Sequence, residues 1–293
     1  MGARGGTAIG LGALIAAALA ALAPACTLDT SQKNACLTQD DCLDGYTCTQ
    51  RRCTQDPTWG CLDFDPRDQP SDTPLSLRLK ILDASTEAPV PGATVRLCPR
   101  TQLACEAPTS TGTTDAGGVV DLTIIDEYLE IAAPGYIDTL AMDVNSLEVS
   151  RSGVTPLEVH FDLFSTAGFV ALEEASGVVQ REQLGVIEAL ARDCRYESGG
   201  GVSFEVDVTD AATVTRYLVN DIPSASATAT DVASGAAIFF NAPPGLRSVG
   251  AFLSATGKDV RPDQPVAIIT RIGWLSHAAV QPGGVRITDA TAP

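Results

Sequence analysis

Two residue types in this chain of 293 residues could carry chemistry: its two histidines and its nine cysteines. His160 stands in Val159-His160-Phe161-Asp162 and His277 in Leu275-Ser276-His277-Ala278. Two imidazoles make a multi-histidine metal centre nearly impossible. His160 falls on the polar side of an alternating strand and reads as solvated. His277 follows Trp274 near the last strand and reads as a satisfied sheet histidine. No His-Glu-x-x-His, Gly-x-Ser-x-Gly or phosphate loop is present. A Ser-His-Asp triad has no fixed spacing, but neither histidine lies near a nucleophile-like turn. The expectation is a protein that is not an enzyme, with no catalytic residues, no metal and no cofactor.

The cysteines point to structure. Cys36, Cys42, Cys48, Cys53 and Cys61 fall in one short stretch, with four to seven residues between neighbours. Zinc sites use closer pairs such as Cys-x2-Cys. The stretch has almost no aliphatic core, so disulfides must supply its order. Asp40, Asp41, Asp44, Asp63, Asp65, Asp68 and Asp72 suggest calcium. In a loop starting at Asp63, however, the positions that need Gly and Glu hold Asp68 and Pro74. The remaining cysteines are Cys26, Cys98, Cys105 and Cys194. Cys98 and Cys105 are close enough to close their own loop, and Cys61 with Cys194 is the expected long-range pair. Sequence alone does not fix the connectivity.

Residues 1–25 read as an export signal. Arg4 precedes an apolar run over 8–22, short of the about 20 residues a membrane span needs. Ala23-Pro24-Ala25 is a small-residue cleavage site directly before Cys26, and it also suits an ordinary secretory signal. The arrangement resembles a bacterial lipobox, although Ala23 and Pro24 depart from its preferred residues. The resemblance implies a lipid on Cys26, which leaves an even eight cysteines for disulfides. Thr27 in the next position resembles lipoproteins released to the outer membrane, on its periplasmic or surface face. A soluble secreted form is the lesser alternative. Sparse lysine with abundant alanine and arginine suggests a GC-rich bacterial genome.

Composition narrows the partners. With 36 Asp+Glu against 19 Lys+Arg the net charge is −17, which argues against nucleic acid. Hydrophobic residues at 45% exclude a disordered acidic tail.

The elements that position these residues are strands. A Cys-rich segment (26–62) resembles small, loosely Dickkopf-like modules found near the start of exported myxobacterial proteins. A linker (63–73) follows. Leu75, Leu77, Leu79 and Ile81 then alternate with Ser76, Arg78 and Lys80, the period of a half-buried strand. Lys80-Ile81-Leu82-Asp83, Pro89-Val90-Pro91-Gly92-Ala93-Thr94-Val95, Thr114-Asp115-Ala116-Gly117-Gly118 and Pro134-Gly135-Tyr136 follow in order. That series resembles the carboxypeptidase regulatory-like domain, which implies a transthyretin-like β-sandwich over 74–165. The peptidase's His-x-x-Glu metal pair is missing: Leu163 and Val280 stand three residues after the histidines. A weaker copy covers 184–282, where Gly201-Val202-Ser203-Phe204-Glu205-Val206, Thr230-Asp231 and Ser234-Gly235 echo the first. A helical linker (166–183) and a tail (283–293) complete an all-β chain of two tandem transthyretin-like or Ig-like sandwiches.

The expected role is a non-catalytic interaction or scaffold module of the cell envelope, held to the membrane by its lipid and bound to an envelope protein or glycan. The alternative is a carbohydrate-binding module on the cell surface. That role would need exposed aromatic platforms, for which Trp59, Tyr136, Tyr217 and Trp274 are the candidates.

Overall fold

The computed structural model describes residues 46–49, 52–55, 58–63, 74–125, 127–142, 156–194, 197–260 and 265–282. The chain divides into two compact units, residues 1–54 and 55–293. In the first, β1 (Tyr46–Thr49) and β2 (Arg52–Gln55) form a two-stranded sheet.

Among its described residues the second unit is built of strands, one α-helix and the 3-10 turn Gly60–Asp63. β3 (Leu75–Asp83) keeps the predicted alternation, with Leu75, Leu77, Leu79 and Ile81 buried and Ser76 and Arg78 exposed. It lies between β6 (Val119–Ile124) and β9 (Leu157–Leu163) in a three-stranded sheet, antiparallel to β6 and parallel to β9. Facing it are β4 (Thr94–Pro99), β5 (Ser110–Thr113), β7 (Glu127–Ala132) and β8 (Thr139–Ala141), in the order β5-β4-β7-β8. Leu77, Leu79, Val95, Leu129, Ile131 and Phe161 fill the space between the two layers.

The second sandwich repeats this plan. Its first layer contains β12 (Val214–Val219), β13 (Ile222–Ser224), β14 (Ala236–Ala242), β10 (Gly185–Ala191) and β17 (Leu275–Val280). Its second layer is β11 (Val202–Val206), β15 (Gly245–Leu253) and β16 (Val266–Thr270), in the order β11-β15-β16. As β3 runs parallel to β9, so β10 runs parallel to β17.

The turns repeat as well. Ile81 N–H donates to Gly118 O (2.8 Å) and Ala191 N–H to Gly235 O (2.7 Å). Both glycines have positive φ, 74° and 62°. A Cβ on Gly118 would lie 2.6 Å from Ile81 O, and one on Gly235 3.0 Å from Ala191 O. Only glycine allows both the left-handed turn and so close a strand.

The two sandwiches are not separate beads. β17, the edge of one layer of the second, pairs in parallel with β8, the edge of one layer of the first. The result is one nine-stranded sheet, β13-β12-β14-β10-β17-β8-β7-β4-β5. Side chains alternate across it. Leu129, Ile131 and Ala141 point into the first core, while Tyr128, Leu140 and Met142 join the core of the second. Each sandwich therefore covers a different face of the shared sheet.

The helix, α1 (Thr166–Ser176), follows β9. Ser165 caps it by accepting from Gly168 N–H, and Gly177 ends it at φ 63°. It lies on the shared sheet, where Phe169 packs with Val186, Leu218, Ile238, Phe240 and Leu275 in a third core cluster. No helix among the described residues is long and apolar enough to cross a membrane.

Candidate functional site

Each sandwich covers only part of the shared sheet. On one face, the layer β6-β3-β9 stops at β9 and α1 begins beyond it. Between them lies a groove of about 440 Å³ floored by β10, β14 and β17. His160, Phe161 and Asp162 of β9 line one wall, with Phe164 and Leu172 toward the helix, and Glu188 and His277 rise from the floor. The groove gathers both histidines of the chain, one from each sandwich.

Register explains the pairing. Glu188 and His277 are directly opposed across β10 and β17, and His277 Nδ1 lies 3.2 Å from Glu188 Oε2. The Phe161 ring meets the imidazole edge-on, with centroids 5.2 Å apart. Asp162 is pushed above the usual carboxylate range, first by loss of water in the groove, then by the negative charge of Glu188. His160 and His277 pull it back in part. His160 is exposed, as expected, and His277 is a partnered sheet histidine. Ser234 also lines the groove, but its Oγ accepts from Asp221 N–H at 2.7 Å.

The other face carries a charged clamp. Glu130, 2% exposed, receives Arg96 at 2.8 Å from the neighbouring strand and also Arg271, which follows β16 of the second sandwich. Arg271 Nη2 donates to Tyr128 Oη (2.8 Å) and to Leu103 O (2.5 Å). Its guanidinium stacks 5.1 Å from the Trp274 ring. Tyr128 Oη in turn donates to Gln102 O at 2.7 Å. Both carbonyls belong to the loop closed by the Cys98–Cys105 disulfide. One arginine of the second sandwich thus holds a strand and a stapled loop of the first.

The remaining sequence candidates are scattered. Cys26, Cys36 and Cys42 lie outside the described residues. Cys48 and Cys53 fall on β1 and β2, and Cys61 in the 3-10 turn Gly60–Asp63. Cys194 is disulfide-bonded, and its backbone N–H donates to Thr58 O at 2.9 Å. Trp59 and Tyr217 are each 7% exposed, and Trp274 is partly buried beneath Arg271. Only Tyr136 stands partly open away from the seam, so these four do not form a stacking platform. Sequence reasoning missed Glu130, Arg96 and Arg271. The one available signal was a glutamate between Leu129 and Ile131, and nothing local named its partner.

No protein-family model and no curated protein matches the chain. Solved structures with some likeness include a shaft pilin, SpaA, from Lactobacillus rhamnosus GG, with 10% identity, 73% of this chain against 99% of that one, and a TM-score of 0.24. A minor pilin, GBS52, from Streptococcus agalactiae has 13% identity over 75% of this chain and 100% of that one, with a TM-score of 0.25. The Bacillus anthracis TIE protein has 11% identity over 71% of this chain and a TM-score of 0.23, and this chain spans 34% of its length. At such scores nothing about this chain's role follows from them.

Proposed function

We propose that this chain is a non-catalytic protein of the cell envelope, anchored by lipid at Cys26, that acts as an interaction or scaffold module. The supporting observation is the seam. Two small sandwiches share one sheet and are clamped by a buried glutamate that receives two partly exposed arginines, an arrangement that suits a stiff spacer presenting outer strands to a partner. The acidic surface keeps such a body soluble and away from anionic lipid. The exposed edge of β13, where Ile222 is 63% exposed, offers a partner a strand to extend.

A photo-reactive residue at Ile222, introduced in native cells, tests the reading when cross-linked material is captured and identified by mass spectrometry. The expected result is one reproducible envelope protein, joined only in cells that incorporate the probe. Recovery of glycan alone would overturn it in favour of a carbohydrate module. The anchor is tested separately: wild type should incorporate labelled fatty acid and sediment with outer membranes, and Cys26→Ser should do neither.

A further inference from the structure

We propose that residues 285–288 of this chain dock in the open groove as a fourth strand beside β9. β9 is the outer strand of its layer, which runs β6-β3-β9. Ala84 N–H donates to Leu163 O at 2.9 Å, which sets the phase of the parallel ladder between β3 and β9. Phe161 and Leu163 bond to β3, so His160 and Asp162 turn their N–H and C=O groups toward the groove. Their side chains point away from the floor, whereas Phe161 points down onto His277. Leu190, Leu218 and Ala236 line the groove. An open strand edge beside apolar side chains is a feature that proteins cover.

The chain itself brings a strand to this place. Ile137 N–H donates to Phe164 O and Leu275 N–H to Asp138 O, so the end of β9 lies by the start of β17. The end of β17 therefore lies by the start of β9. There Arg192, which lines the groove, donates its N–H to Val280 O at 2.9 Å. Pro282 cannot extend the ladder, and Gly283-Gly284 allow a reversal. From Pro282 to Val285 the chain can span about 10 Å, the spacing of two packed sheets. Val285-Arg286-Ile287-Thr288 then alternates apolar and polar residues, the period of a half-buried strand. Laid parallel to β9, it sets Val285 and Ile287 on the apolar floor and Arg286 on the outer side. Charge matches as well as pattern, since β9 presents Glu158 and Asp162 on that outer side. The added strand would tie the end of the second sandwich to β9 of the first, on the face opposite the Arg271 clamp.

A photo-reactive residue in place of Ile287, in the purified full mature protein, reads where the segment sits. The expected adduct lies within one chain, on Phe164, Leu190 or Leu218. An adduct joining two chains would overturn the proposal in favour of a second copy, and labelling outside the groove would overturn it outright. Amide exchange gives an independent readout. His160 and Asp162 should be protected in the wild type, and Val285→Asp/Ile287→Asp should speed their exchange by at least about tenfold. The amides of β3 should keep their protection, which shows that the fold survives the change. Fast exchange at His160 and Asp162 in the wild type would also refute the docking, because the edge would then be open to a strand from outside.

Discussion

Thr114 and Thr230 occupy equivalent positions in the two sandwiches and make the same pair of hydrogen bonds. Thr114 Oγ1 accepts from Ala93 N–H at 2.9 Å and donates to Val90 O at 2.7 Å. Thr230 Oγ1 accepts from Val202 N–H at 3.0 Å and donates to Gly199 O at 2.6 Å. Each hydroxyl satisfies a buried donor and a buried acceptor at the entry to a strand. Both threonines are 5% exposed or less, so water cannot replace them.

Valine keeps the shape of threonine and removes the hydroxyl. Thr230→Val should therefore destabilise the fold by about 1–3 kcal/mol, the cost of orphaning buried polar groups. Thr230→Ser should cost less. Urea unfolding of both variants checks this. Equal stability of Thr230→Val and wild type would mean that the hydroxyl contributes nothing. Thr114→Val should behave alike, since its partners are the same backbone groups.

The seam makes a second prediction. Glu130→Ala leaves Arg96 and Arg271 without their shared carboxylate. Breaking a fully buried pair costs about 3–5 kcal/mol; here we expect about 2–3 kcal/mol, because Arg96 reaches solvent at 36%. Amide exchange should quicken first in β8, whose parallel bonds to β17 form the join. If β8 stays as protected as β3, the clamp does not hold the seam.

Much of this architecture was legible in the sequence, because period-two alternation and glycine turns are local signals. Leu75 to Ile81 announced β3. The echo of Thr114-Asp115 in Thr230-Asp231 announced the repeat that the hydrogen bonds bear out. The closed Cys98–Cys105 loop was legible from spacing. The join was not. Leu140 and Ala141 look alike whether β8 is an edge or a central strand, and only the parallel pairing with β17 decides. The groove stayed hidden for the same reason. His160 and His277 are 117 positions apart, and each on its own strand reads as ordinary. Register across β10 and β17 and the end of β9 bring them together.

The loop that receives Arg271 depends on its disulfide. Closing so short a loop contributes about 2–3 kcal/mol in the chain-entropy account. Cys98→Ser/Cys105→Ser should lose about that amount. It should also free Leu103 O and Gln102 O from Arg271 and Tyr128. Peptide mapping of the wild type under non-reducing conditions should recover Cys98 with Cys105. We further expect Cys194 to appear with Cys61; recovery of Cys194 with any other cysteine would refute that pairing.

Acid should loosen the second sandwich at a turn. Asp231 is held below the usual carboxylate range, most by the Ser234 N–H at 2.8 Å. Partial burial acts the other way, and the N–H groups of Asn220 (2.6 Å) and Ala233 (3.1 Å) add to the lowering. A depressed folded value means that the contribution is fully present above the unfolded value of about 3.9. It is lost as pH falls through the folded one. The urea midpoint should therefore drop below about pH 4, and Asp231→Asn should flatten that part of the slope. An unchanged profile would show that these hydrogen bonds do not favour the ionised form.

Trp59 gives the last prediction, because it explains a run of glycines. Its indole Nε1–H donates to Gly200 O at 3.3 Å, and its ring lies over Gly199. A Cβ on Gly199 would stand 2.7 Å from Trp59 Cη2 and 3.2 Å from Ala191 Cβ. The indole is wedged into the core, and the strand behind it cannot yield. Gly199→Ala should therefore expel the ring, shift tryptophan emission to the red and cost about 1–3 kcal/mol, as overpacking does. At Gly201 the φ of 77° strains any side chain by backbone conformation, and no neighbour lies within 4 Å of its Cβ position. Gly201→Ala should destabilise with no change in emission. The two variants separate a packing glycine from a turn glycine two residues away. A red shift in both, or in neither, would break the assignment of Trp59 to the Gly199 surface.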